Sequence, residues 1–227
     1  IIYISHITSQ TALIFPVEEI CKIAKSKGII TIIDGAHAPG HIDLDITQIG
    51  CDYYTGACHK WMCAPKGSSF LYVAKNFQKG MSPQIMSWGE EGDDPGPSQF
   101  LMDFQWQGTK DMSAFLAIPS AIRFLQKNKW KEKSVISKNL IRRLAVSLKD
   151  ILGTESLFKN KNWLGQMISH PLPINSPANL KDILWNDFKI EVPIFEWKKR
   201  NFIRVSAHFY NDQKDMNHLI KALKEIF

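Results

Sequence analysis

Residues 29–33 read Ile-Ile-Thr-Ile-Ile, and no other stretch limits the fold of this chain as tightly. Five β-branched residues in a row disfavour a helix, and an apolar run without alternation suits a strand covered on both faces. The run stops at Asp34-Gly35. Upstream, residues 16–27 (PVEEICKIAKSK) place Val17, Ile20, Ile23 and Ala24 at helical spacing, with Pro16 at the start and Gly28 just past the end. Residues 1–5 (IIYIS) read as another strand. Strand, helix, strand with apolar strands predicts an α/β sheet containing parallel pairs.

The same reasoning continues downstream. Residues 42–50 read as a short helical connector, and 52–55 and 69–73 as strands. Residues 89–97 (GEEGDDPGP) read as a mobile loop. A helical pattern starts at residues 113–125, and 134–152 is amphipathic. Residues 165–168, 191–195 and 203–207 are strand candidates. A closing helix over 212–227 sets Met216, Leu219, Ile220 and Leu223 on one face. The expected division is 1–115, part of a large domain with a mainly parallel sheet, and 116–227, a small α+β domain.

Composition narrows the partners. The chain has 227 residues and a formal net charge of +6, which admits an anionic partner. Its densest basic cluster, Lys127, Lys129, Lys131 and Lys133, is interleaved with Asn128, Trp130 and Glu132, which predicts a solvated face and no nucleic acid. No run approaches the roughly 18 apolar residues of a membrane span, so no membrane association is expected. Cys21, Cys51, Cys58 and Cys63 crowd into the first third, which is uneven for a disulfide framework and favours a reducing cytoplasm. The chain starts in mid-strand without an initiator Met, so a fragment of a longer protein is expected.

The chemistry concentrates in residues 55–67, TGACHKWMCAPKG. Three readings compete there. Zinc is disfavoured, because Cys58 and Cys63 are spaced C-x₄-C with no second pair. A reactive thiol would need Cys58 or Cys63 lowered in pKa by His59 or Lys60, whereas buried inert cysteine is the commoner case. The third reading is a covalent lysine. Asp34 ends an apolar strand, where ligands of open α/β sheets bind, and it either caps a turn or pairs with a ligand cation. A lysine Schiff base with an acidic partner on a ring nitrogen is the pyridoxal phosphate arrangement.

Residues 34–45 (DGAHAPGHIDLD) and 51–73 (CDYYTGACHKWMCAPKGSSFLYV) resemble the pyridoxal-phosphate-dependent class V aminotransferase family, with the nearest likeness to its isopenicillin-N-epimerase-like branch. The resemblance continues in order through 5–17 (SHITSQTALIFPV), 104–125 (FQWQGTKDMSAFLAIPSAIRFL), 190–195 (IEVPIF) and 202–212 (FIRVSAHFYND). It implies fold type I of the pyridoxal-phosphate-dependent transferases. It also implies that Lys60 forms the Schiff base and moves protons at the substrate α-carbon, and that Asp34 binds the pyridine nitrogen. His37 would lie at the ring oxygen, His59 at the cofactor phosphate and Ser9 at the ring. Gly108 and Thr109 would donate to the phosphate of the neighbouring subunit, which makes the enzyme a homodimer. Arg204 would clamp the α-carboxylate of a small amino-acid substrate.

Departures accompany the resemblance. Ala57 stands where relatives usually carry a polar phosphate contact, and Gln10 stands where Pro is common. The family's N-terminal half, with its phosphate-cradling loop and ring-stacking aromatic residue, is not in this sequence. No cysteine follows Cys63, which disfavours a desulfurase using a cysteine ahead of Arg204. The implied reaction is epimerisation or transamination. The alternatives are a C–S lyase and a truncated non-catalytic paralogue.

Overall fold

A computed structural model describes residues 1–90, 92 and 96–227. The loop expected over 89–97 therefore lies in part outside the described residues. The chain opens with β1 (Ile2–Ser5), α1 (Val17–Ser26), β2 (Thr31–Asp34), α2 (Ile46–Ile49), β3 (Tyr53–Ala57) and β4 (Ser69–Val73). These strands form one sheet in the order β1-β2-β3-β4, with β1, β2 and β3 parallel and β4 antiparallel to β3. Short helices α3 (Lys75–Gln78) and α4 (Gln99–Gln105) follow.

One boundary and one buried face differ from the sequence reading for physical reasons. The Ile29–Ile33 run enters the sheet only at Thr31, whose N–H and Oγ1 both donate to Asp52 Oδ2, at 2.8 and 3.0 Å. That clasp fixes the register beside β3 and leaves Thr31 and Ile33 buried, while Ile32 and Asp34 are only partly covered. In α1 the buried face is Val17, Cys21 and Ala24, with Ile23 58% exposed. Positions i, i+4 and i+7 share one side of a helix, and Ile23 falls off it.

The remaining chain contains α5 (Ser113–Leu116), α6 (Ile118–Lys127), α7 (Trp130–Leu152), β5 (Met167–Pro171), α8 (Leu180–Asn186), β6 (Ile194–Trp197), β7 (Arg200–Ser206) and α9 (Gln213–Ile226). The helical pattern beginning at Ser113 is split at Ala117, next to Pro119 at the start of α6, a place where a missing N–H costs little. Strands β5, β7 and β6 form an antiparallel sheet in that order. Leu140, Ile141, Leu144 and Leu148 of α7 pack with Ile168, Ile203, Leu219 and Leu223 in one core. A separate core joins Ile7, Val17, Ile33, Tyr54 and Trp61 beneath the first sheet. The side chain of Asp212 caps α9 in a reciprocal capping box with Asp215.

Helix α7 begins four residues earlier than its amphipathic pattern suggests. Trp130 Nε1 donates to Gly40 O at 2.6 Å, and Lys131 pairs with Asp43 at 2.8 Å, so contacts with the first sheet's loops extend it. Lys127, Lys129 and Lys131 are exposed, as a solvated face requires. Among the described residues, no helix is long and apolar enough to cross a membrane.

Candidate functional site

Parallel strands bring their carboxyl ends to one edge of a sheet, and that edge gathers most of the residues singled out above. Ser5 is the register partner of Asp34, and Asp34 of Thr55, so the ends of β1, β2 and β3 lie side by side. Asp34 Oδ1 accepts from Ala36 N–H at 3.0 Å, the turn-capping role open to an Asp before Gly. Its Oδ2 accepts from Ser5 Oγ at 3.5 Å. Strand β3 continues through Ala57, which delivers Cys58, His59 and Lys60 to the same edge.

Lys60 lies within the electrostatic reach of both Asp34 and Arg204. Its pKa is lowered, first by burial and then by the Arg204 cation, with Asp34 opposing. The side chain remains exposed in surface terms, so water screens this field. His37 is pushed down to about 4 by burial, assisted by Lys60 and Arg204 and opposed by Asp34. Its Nδ1 accepts a hydrogen bond from Trp61 Nε1 at 3.2 Å. His59 is half-buried and donates from Nδ1 to Ser68 O at 3.0 Å, which leaves Nε2 for another partner.

Arg204 comes from β7 in the other sheet. Its Nη1 donates to Ser9 O and Ser9 Oγ, at 2.8 and 2.9 Å, bridging positions 195 residues apart. Its Nε is buried without a partner among the described residues, and burial lowers its pKa. A guanidinium anchored on one nitrogen with another left unsatisfied is suited to an anion such as a carboxylate.

Gly108 and Thr109 stand apart. They lie in the loop after α4, and no hydrogen bond joins them to Lys60, Asp34 or Arg204 among the described residues. Their neighbours Gln107 and Lys110 line a cavity of about 730 Å³ that also reaches Ala36 and Ala57 at the ends of β2 and β3.

The thiol reading, disfavoured above, gains nothing from these surroundings: desolvation raises the pKa of both Cys58 and Cys63 rather than lowering it. Cys58 is buried as expected of an inert cysteine, whereas Cys63 is exposed. No group of three or more metal-ligating side chains occurs among the described residues. Sequence reasoning missed the packing around Trp61. The His41 ring lies 4.1 Å from the Trp61 ring, and the His208 ring is stacked at 5.7 Å. His208 Nε2 donates to Trp61 O at 3.0 Å, and His41 Nε2 accepts from Gln166 N–H at 2.7 Å. The only sequence signal was the bulky aromatic residue directly after Lys60.

Residues 1–219 match the family described as aminotransferase class V. The chain belongs to that family. It is 34% identical over 244 residues to isopenicillin N epimerase of Amycolatopsis lactamdurans, spanning the whole chain and 60% of that enzyme. It is 27% identical to an L-cysteine desulfhydrase of Arabidopsis thaliana, over 98% of the chain and 53% of that protein. The chain thus spans a little over half the length of these relatives. Among solved structures, the apo cysteine desulfurase of Thermococcus onnurineus NA1 superposes with a TM-score of 0.84 at 22% identity, over 98% of this chain and 58% of that one. Another, a C-DES mutant with glycine covalently linked to its PLP cofactor, gives 0.80 at 20% identity over 99% and 60%. The fold is therefore fold type I of the pyridoxal-phosphate-dependent transferases, with a mostly parallel first sheet. Pyridoxal 5′-phosphate is the cofactor of the family. The residues present fit it: Asp34 offers a carboxylate to a ring cation, Lys60 an amine, and His59 an Nε2 left over after Nδ1 donates to Ser68 O.

Proposed function

We propose that the chain is part of an enzyme that uses pyridoxal 5′-phosphate to transform a small amino acid, by epimerisation or transamination at its α-carbon. The observation carrying this reading is the gathering at one sheet edge of Asp34 at the end of β2, Lys60 just beyond β3, and Ser9, which Arg204 reaches from β7. When bound, the cofactor supplies an electron sink for the substrate α-carbon. Lys60 is the residue that would hold it covalently, and its lowered pKa favours the neutral amine able to take a proton at Nζ. Asp34 would hold the ring nitrogen in its protonated form. His37 and Ser9 would face the ring, and His59 the phosphate. Arg204, fixed by Ser9, would orient the substrate through its α-carboxylate. Gly108 and Thr109, remote from this group in the chain, would serve the phosphate of a neighbouring subunit in a homodimer. A domain division between residues 115 and 116 would put Lys60 and Arg204 in different domains. The four free cysteines support a cytoplasmic setting.

A second reading, cleavage of a C–S bond, is favoured by the likeness to an L-cysteine desulfhydrase. The deciding experiment purifies the protein with pyridoxal phosphate and records its visible absorption. A lysine-bound band, and borohydride fixation of the cofactor on Lys60, are expected. Absence of both ends the cofactor reading. Incubation with amino acids in deuterated water then separates the reactions. α-Deuterium with inverted chirality supports epimerisation, keto-acid dependence supports transamination, and pyruvate release supports lyase chemistry.

A further inference from the structure

We propose that Trp61 is a positioning residue that fixes which nitrogen of His37 carries the proton. The proposal rests on the reading of Lys60, Asp34 and His37 as the cofactor-facing group. An indole nitrogen can only donate a hydrogen bond. Trp61 Nε1 donates to His37 Nδ1 at 3.2 Å, so Nδ1 must present its lone pair. In the neutral ring the proton is then on Nε2. Nε2 has no protein partner among the described residues, so His37 keeps one free donor whose identity Trp61 has set. Burial keeps the ring neutral, with Lys60 and Arg204 assisting and Asp34 opposing, so it does not gain a second donor at ordinary pH.

The indole is held where this requires. Trp61 is 7% exposed and packs against the rings of both His41 and His208. His208, two residues beyond the end of β7, also donates to the Trp61 carbonyl. Gly40 lies against the same backbone, where an added Cβ would come within 2.6 Å of the Trp61 carbonyl carbon. Trp61 directly follows Lys60, so these contacts also hold the backbone from which the lysine projects. The strand that supplies Arg204 therefore leads into the contact that steadies Trp61, linking the two sheets at this point.

The test reads the ring nitrogens of His37 by NMR in the full chain without cofactor. Wild-type protein should show a hydrogen-bonded, unprotonated Nδ1 and a protonated Nε2. Trp61→Phe keeps an aromatic ring and deletes the donor. Its His37 should show an Nδ1 signal moved to that of a free lone pair, with proton affinity raised about tenfold, the worth of roughly one hydrogen bond. The Trp61 indole proton should exchange slowly in wild type and faster in His37→Ala, a measurement that stands if Trp61→Phe fails to fold. A proton on Nδ1 in wild type, fast indole exchange there, or a folded Trp61→Phe with unchanged Nδ1 signal and titration would overturn the proposal. A merely structural Trp61 would alter the melting temperature but not the protonation pattern of His37. The visible cofactor band reports separately: its absence with the pattern intact counts only against the cofactor reading.

Discussion

Acidification should weaken this fold through histidines that are neutral when buried. His6 and His170 are each pushed down to about 4, chiefly by burial, and His41 well below its ordinary value. These side chains are 7%, 0% and 1% exposed. In the unfolded chain each would protonate near its ordinary pKa of about 6.5. The folded pKa lies below the unfolded one, so the unfolded state binds more protons between about pH 6.5 and 4. The stabilisation is thus complete above that window and lost as the pH falls through it. At about pH 5 each such histidine costs roughly 2 kcal/mol relative to about pH 7.5. Together His6, His41 and His170 reach about 6 kcal/mol, comparable with the whole stability of many domains. Carboxylates stay largely ionised above about pH 5, which keeps them out of the comparison. Urea unfolding measured between about pH 7.5 and 5 checks this, with the unfolding free energy expected to fall steadily. A more specific check is His170→Gln. It removes the ring that bonds Ser156 Oγ and Thr154 O, so it lowers stability at neutral pH while reducing the acid-dependent loss by about 2 kcal/mol. An unfolding free energy that stays flat across the window would refute the claim that these histidines are held neutral.

Lys60 should acylate with a midpoint below that of an ordinary lysine. Asp34→Asn should move the midpoint lower still and Arg204→Gln should move it up, because Asp34 favours the charged amine and Arg204 opposes it. Mass spectrometry of the labelled peptide across pH reads this, and shifts of reversed sign would refute the assigned neighbours. Gly40→Ala should destabilise the chain by about 1–3 kcal/mol or more, since its φ of +79° is left-handed and the new Cβ meets the Trp61 and Met62 backbone. Gly28→Ala is the control, with a φ of +65° but open space around the added carbon, so it should lose less in urea unfolding.

Much of the frame was legible along the chain. The β-branched run, the amphipathic helix before it and the Asp-Gly stop gave parallel α/β structure, and periodicity set the closing helix. These are local signals, because a strand's pleat and a helix's turn repeat within a few residues. The placement of Asp34 and Lys60 was legible in part, since a carboxylate ending an apolar run and a lysine just past a strand both fall at a sheet's carboxyl edge. The start of β2 was not legible, because it depends on Asp52 reaching back across 21 positions to Thr31. The antiparallel placement of β4 depends likewise on pairing with β3.

The sequence by itself determined the layered α/β class, the family and the chemical types available at the strand ends. Only the tertiary structure decided that Arg204 is anchored on Ser9, that Trp61 bonds His37, and that His41 and His208 pack on Trp61. The reason is distance along the chain. Local propensity acts between near neighbours, whereas these contacts join residues from 20 to 195 positions apart, and those of Arg204 and His208 exist only once two separately packed sheets have met.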